Sequence, residues 1–198
     1  MIHLCLLAGG SGKRFGSNKL LAMLNGKAIW TYGYEVLQAA SQGMDASLHV
    51  ITRYREILDV VGADGVYCPE SELGLSFTVR AACTACGQTS GRDRILFLAA
   101  DQPMITAETV KKLLSVPLSE KADDPLPLAA CASPDGKKGG NPVIFSGLLT
   151  EKLMKLTGDQ GGKAILHSCP DRIKYVICPC KELHDIDSPC DLENISHT

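Results

Sequence analysis

The sequence predicts an α/β fold built on a mainly parallel sheet, and three observations carry that prediction. Short, nearly continuous apolar runs recur along the chain, segments of helical periodicity separate them, and the first run ends abruptly in glycines. Strands buried on both faces read as unbroken apolar runs, and their alternation with helices is the pattern of βαβ units.

Taken in order, the first run is Ile2–Ala8, which stops at Gly9-Gly10-Ser11-Gly12. Comparable runs lie at 48–52, 95–100 and 126–132. Between them, 29–40 sets Ile29, Tyr32, Val36, Leu37 and Ala40 on one helical stripe, and 77–86 and 107–114 have similar spacing. Thr106 is placed to cap the last of these helices. The stretch 123–141 breaks the rhythm with prolines, Asp135-Gly136 and Gly139-Gly140. Beyond it, Pro142-Val143-Ile144-Phe145 reads as a strand, 147–156 as a helix and 172–178 as a strand. With no repeat and no linker, one domain is expected over residues 1–198.

Hydrophobic residues at 45% and charged residues at 21% exclude disorder as the main state. Twenty basic against 22 acidic residues give a net charge of −2, which removes any global attraction to nucleic acid or an anionic membrane. A bound anion must therefore be met by a local cluster. No apolar stretch is long enough to span a bilayer, and the start lacks a charged leader, so a cytoplasmic protein is expected. The nine cysteines then read as buried thiols in a reducing compartment. Cys83 and Cys86 form a CxxC pair, and Cys178-Pro179-Cys180 a second close pair. Together they offer four thiolates for zinc, but about ninety residues separate them and packing is the simpler reading. The five histidines show no metal-ligand spacing.

The loop after the first run is where an α/β sheet binds ligands. Gly9, Gly10 and Gly12 let backbone amides approach an anion, and Lys13, Arg14 and Lys19 bring three positive charges to the same place. This is the chemistry of a phosphate site; glycines alone would be a solvated turn. A Walker loop is excluded, because Leu7 stands where its first glycine belongs and Arg14 where Ser or Thr belongs. A dinucleotide loop fits less poorly: Gly10 and Gly12 are spaced for it, and Arg53 and Arg55 could take a 2′-phosphate. It leaves the cations unused. Asp101 closes the run 95–100, where a carboxylate at a strand end meets a phosphate-bound metal or, more plainly, caps the turn before Pro103.

Several segments in one order resemble a known family. They are Leu-Ala-Gly-Gly-Ser-Gly-Lys-Arg-Phe-Gly-x-x-Lys at 7–19, Gly-Leu-Ser-Phe-Thr-Val-Arg at 74–80, Ala-Ala-Asp-Gln-Pro-Met-Ile-Thr at 99–106, Gly-Asn-Pro-Val at 140–143, Gly-Asp-Gln-Gly-Gly at 158–162 and Asp-Ile-Asp-Ser-Pro at 185–189. The set resembles the MobA-like nucleotidyltransferases, and within them the molybdenum cofactor cytidylyltransferase branch. The resemblance implies a three-layer sandwich, a Rossmann-like fold of the nucleotide-diphospho-sugar transferase type. It implies transfer of CMP from CTP to the terminal phosphate of molybdopterin, with Mg2+ and release of pyrophosphate. It assigns Leu7, Ala8, Gly9, Gly10, Ser11, Gly12, Lys13 and Lys19 to the nucleotide, with Gly9 and Gly10 against base and ribose. Arg14, Lys19 and Asp101 are the implied catalytic groups, and Asp101 and Asp187 the implied metal ligands. Gly74, Ser76 and Arg80 would border the base, and Asn141, Gly161 and Gly162 the acceptor, with Lys163 as a lesser candidate. A molybdenum hydroxylase or its chaperone is the implied partner.

Two residues depart from the branch. Gly9 stands where it usually has alanine; losing a methyl beside the base would widen the slot and admit a purine, so GTP and a guanylyltransferase activity stay open. Asn141 stands where histidine is frequent, and an amide does not titrate near neutrality. A non-catalytic accessory protein that only holds cofactor, and a sugar phosphate as acceptor, also remain open.

Overall fold

The structure is a computed structural model that describes the chain except residues 11, 13, 14, 118–127, 138, 169, 197 and 198, together with the side chains of 128, 171 and 196. Ser11, Lys13, Arg14 and the first two residues of the expected strand at 126–132 thus lie outside the described residues.

The first apolar run forms β1 (Ile2–Ala8), and the later ones form β4 (Ala46–Thr52), β6 (Arg94–Ala99) and β7 (Leu128–Ala132). With β5 (Gly65–Tyr67), β8 (Gly139–Ser146) and β9 (Ile173–Ile177) they make a seven-stranded sheet in the order β5-β4-β1-β6-β8-β7-β9. β5, β4, β1 and β6 are parallel neighbours, and β9 is parallel to β7. Among the described strands of this sheet, only β8 runs against its neighbours. It returns from β7 through a turn in which Asp135 Oδ1 accepts from Ser133 Oγ at 2.6 Å and from Lys137 N at 3.1 Å. A small β2–β3 hairpin (Met23–Leu24 and Lys27–Ala28) stands apart from this sheet.

Helices cover both faces, because successive strand residues point to opposite sides. Leu4, Leu6, Leu96 and Leu98 pack against Trp30 and Leu37 of α1 (Ile29–Ser41), Ile57 of α2 (Arg55–Val61) and Leu113 of α4 (Ala107–Leu114). Cys5, Ile95, Phe97 and Phe145 face α3 (Leu75–Ala85), α5 (Thr150–Met154) and α6 (Gly162–Ser168). This is the expected three-layer sandwich. Thr106 caps α4 as the spacing predicts, its side chain accepting from Thr109 N.

The helix expected over 147–156 divides into a 3-10 turn (Gly147–Leu149) and α5. Gly147 lies against the Ser90 carbonyl where a β-carbon would not fit, and Ser146 starts the turn by accepting from Leu148 N. A last helix, α7 (Pro189–Ser196), is tied to the rest through Leu24, Ile29 and Ile186, which form a small separate core.

The register places the site. Leu7 of β1 lies beside Ala99 of β6, so the glycine loop and Asp101 emerge side by side at the carboxyl edge. Leu98, fully buried in the middle of the sheet, anchors that register. Leu98→Ala is expected to cost about 2–5 kcal/mol, as a methylene-deleting core change that leaves a cavity, measured by urea unfolding.

Candidate active site

Lys19 follows the glycine loop on a 3-10 turn (Lys19–Leu21) whose first amides are capped by Asn18, with Leu20 N donating to Asn18 Oδ1 at 3.1 Å. Gly12 makes that path possible: its φ is +58°, and a β-carbon there would come within 2.6 Å of Ser17 O. The Lys19 side chain is buried and its ammonium makes three contacts. Nζ donates to Asp101 Oδ2 at 2.6 Å, to Ile186 O at 2.8 Å and to Asp187 Oδ1 at 3.4 Å. Burial alone would lower the lysine pKa, but the carboxylates of Asp101 and then Asp187 outweigh it and hold the ammonium above its ordinary value. Lys19 is thus charged throughout the neutral range. The structure brings together Lys19, Asp101 and Asp187, three of the residues the resemblance assigns.

The segment after β9 is strapped to the end of β6, with Ile186 N donating to Asp101 O at 2.9 Å. Asp191 fixes the start of α7: its Oδ2 accepts from Asp187 N at 3.0 Å, from Ser188 N at 2.7 Å and from Ser188 Oγ at 2.8 Å. These bonds aim the Asp187 carboxylate at Lys19. Asp185, which sequence reasoning passed over, is a third carboxylate at the same place. Burial, and next the charge of Asp101, push its pKa above the usual range.

A chain of amides continues from Asp185. Gln102 Nε2 lies 2.7 Å from Asp185 Oδ1, and the other end of the Gln102 amide meets Asn141. Turned so that donors face acceptors, Asn141 donates to Phe97 O and accepts from Ala99 N, each at 3.2 Å. That orientation asks Gln102 to turn as well and give its NH2 to Asn141. In that orientation Asn141 serves the end of β6, and in either it has no proton to exchange near neutrality.

These groups line an open cleft of about 750 Å3, together with Leu7, Gly9, Gly10, Leu75, Thr78, Asp159, Gly161, Gly162, Lys137 and Lys163. Ala8 is buried at the end of β1 below it. The base-side expectations place differently from how the motif suggests. Gly74 packs on Gly158 and Ser76 N donates to Gly158 O at 3.0 Å, so this segment clasps the 158–162 loop. Ser76 is fully buried and Arg80 stacks on Phe77 with its guanidinium 4.4 Å from the ring, while Leu75 and Thr78 face the cleft. The physical reason is helical phase: 75 and 78 share a face of α3 that 76 and 80 do not. Gly161 and Gly162 reach the cleft, yet their missing β-carbons make room for Leu75 and Phe145.

Gly9 also differs from the expectation that it opens a wider base slot. A β-carbon on Gly9 would lie 2.6 Å from Ser71 Cβ and 2.8 Å from Thr78 Oγ1, so glycine here permits close packing beneath the loop. Gly10 is the one that faces open space. Ser71 Oγ, at this contact, and the buried Ser76 Oγ have no hydrogen-bond partner among the described residues.

The dinucleotide alternative finds its arginines engaged elsewhere. Arg53 pairs with Glu72 at 3.1 Å, and Arg55 lies over the Tyr67 ring. The four-thiolate zinc alternative fails on topology: Cys86 meets Cys5 of β1, whereas Cys178 bonds to Ala132 O beyond β6 and β8. All eight described cysteines are free. Among the described residues, no helix is long and apolar enough to cross a membrane.

A mainly parallel sheet carrying a glycine loop, a buried lysine and convergent carboxylates at its carboxyl edge is the arrangement of a nucleotide-handling α/β protein. The chain belongs to the MobA-like NTP transferase domain family, whose description matches residues 4–173. It is 26% identical to the purine catabolism protein PucB of Bacillus subtilis over 196 residues, covering 92% of this chain and 90% of that one. Among solved structures, it resembles Rv0371c of Mycobacterium tuberculosis H37Rv with a TM-score of 0.77 and 21% identity, over 100% of this chain and 98% of that one. A manganese complex of Rv0371c matches with a TM-score of 0.73 at 20% identity, over 100% and 98%. A CMP:2-keto-3-deoxy-manno-octonic acid synthetase complexed with CTP matches with a TM-score of 0.66 at 16% identity, over 100% and 96%. The fold is therefore that of nucleotidyltransferases.

The Gly9 contact makes a direct prediction. Gly9→Ala should destabilise the protein by about 1–3 kcal/mol, as overpacking does, and Ser71→Gly in the same chain should recover part of the loss in a denaturant double-mutant cycle.

Proposed function

We propose that the protein is a divalent-metal-dependent nucleotidyltransferase that transfers CMP from CTP to the terminal phosphate of molybdopterin. The observation that carries this reading is the convergence of Asp101 and Asp187 on the Lys19 ammonium beside the glycine loop. A phosphate oxygen of the acceptor attacks the α-phosphorus of CTP, the bond from that phosphorus to the bridging oxygen breaks, and pyrophosphate leaves with the electron pair. The reaction brings two anions together, so neutralising charge and holding them in line are what a protein must supply.

The donor set fits Mg2+. It consists of hard carboxylate oxygens, and the two carboxylates of Asp101 and Asp187 against one ammonium leave an excess negative charge that a divalent cation balances. Asp101 and Asp187 would hold the ion, which when bound supplies charge neutralisation to the triphosphate. Lys19 fixes both carboxylates and places a permanent positive charge at the floor of the cleft. Gly10 leaves its wall open to a phosphate or ribose, and Lys13 and Arg14, from the same loop, are the proposed partners of the triphosphate. Lys163 and Lys137 line the cleft with Asn141, Gly161 and Gly162, and the acceptor phosphate is proposed to sit against these residues.

CTP as the donor rests on the resemblance of 74–80 and 185–189 to the cytidylyltransferase branch, and on the CTP complex of a protein of the same fold. The close seating of Gly9 on Ser71 and Thr78 supports CTP over a slot widened to a purine. A cytoplasmic site of action and direct hand-over to a molybdenum hydroxylase or its chaperone complete the proposal.

Pyrophosphate release with CTP, Mg2+ and molybdopterin tests it. Lys19→Ala and Asp101→Ala are each expected to lower kcat/KM by about 100-fold or more, the scale of losing one preorganised charge in a reacting site. CTP should exceed GTP in kcat/KM. A preference for GTP would make the protein a guanylyltransferase, release with a sugar phosphate in place of molybdopterin would change the acceptor, and nucleotide binding without release would mean an accessory binding protein.

A further inference from the structure

His3 of β1, His49 of β4 and Cys86, just after α3, are far apart in sequence and adjacent in the fold. One nitrogen of each ring and the Cys86 sulfur all lie within 4.8 Å of one another. We propose that these three side chains form a second metal site, for a borderline transition-metal ion of the Zn2+ type, independent of the catalytic cleft.

Parallel pairing makes the cluster. His3 lies beside Ser47 in the β1–β4 register, and His49 lies two residues further along β4 beside Cys5. The two rings stack with centroids 5.9 Å apart. One hydroxyl holds both: Ser47 Oγ is 2.8 Å from His3 Nδ1 and 3.0 Å from His49 Nε2. Burial lowers both histidine pKa values and so favours the neutral imidazole, the form that binds metal. The Ser47 hydroxyl oxygen can accept from an N–H of both rings, the tautomers that leave one lone pair on each imidazole for a Lewis acid.

Sulfur completes the donor set. Cys86 is almost fully buried, and its Sγ lies 3.9 Å from Cys5 Sγ. A tetrahedral zinc ion with bonds of about 2.0–2.3 Å needs ligand atoms roughly 3.3–3.8 Å apart, so side-chain rotations of about an ångström close the site. On binding, the Cys86 thiol gives its proton to solvent and the thiolate takes the metal. Imidazole and thiolate donors select against Mg2+, which wants oxygen. His49 is only partly buried and offers the way in. The site is also remote: His3 is near the start of β1 and Gly9 follows its end, about 20 Å away at the usual strand rise.

The probe is Co2+, added to chelator-treated protein in which the exposed Cys180 and Cys190 have been changed to serine. The expected result is one equivalent of Co2+ giving a near-ultraviolet sulfur-to-cobalt absorption band, displaced by Zn2+. Carboxylate-bound cobalt in the catalytic cleft gives no such band. Cys86→Ser should abolish it, and His49→Gln, a change on a partly exposed ring that provides a second test should Cys86→Ser not fold, should weaken Co2+ binding tenfold or more. No band in the parent protein, a band that survives Cys86→Ser, or an unchanged affinity in His49→Gln would overturn the proposal.

Discussion

A buried ammonium is the constraint on which this structure turns. Lys19 cannot leave water without partners, and it finds them in residues about 80 and 170 positions further along the chain, Asp101, Ile186 and Asp187. The contact therefore closes three distant segments into one floor. A buried ion pair is seldom the most stable solution, since well-packed apolar side chains often match it, while removing one partner typically costs about 3–5 kcal/mol. Its presence is better explained by chemistry: two carboxylates are held close together at a strand edge without repelling each other apart.

The sheet supplies the ruler. Because β1 and β6 are parallel neighbours in register, the loop of small residues and Asp101 leave the same edge together. Close packing beneath the loop then fixes its height. Gly9 against Ser71 and Thr78, and Gly12 at positive φ against Ser17, are positions where a side chain would lift the backbone away from its support. The segment after β9 comes back over this edge, and Asp191 sets the angle at which Asp187 enters.

Much of this was legible in the sequence, for physical reasons that particular residues show. A strand buried on both faces cannot hide its apolar run, so β1 and β6 were plain, and a cap such as Thr106 acts on its immediate neighbours. Short elements with no period, α2 and β5, gave no signal. Motif segments pointed to residues around the cleft but could not give the phase of α3, in which Leu75 and Thr78 rather than Ser76 and Arg80 face the cleft. Asp185 was passed over beside Asp187, because its environment is made by Gln102 and Asp101 from another strand end. The His3, His49 and Cys86 cluster was invisible for the same reason: strand pairing, rather than sequence spacing, brings its members together.

The central claim is that the Lys19 knot is a nucleotide site completed by a divalent cation. Calorimetric titration of CTP into the protein, with Mg2+ and with chelator, tests it most directly, using Asp187→Asn beside the parent. The account predicts tight binding of CTP only with Mg2+ in the parent, and a much reduced Mg2+ effect in Asp187→Asn. Equal CTP affinity with and without Mg2+ in the parent, or an undiminished Mg2+ effect in Asp187→Asn, would contradict it.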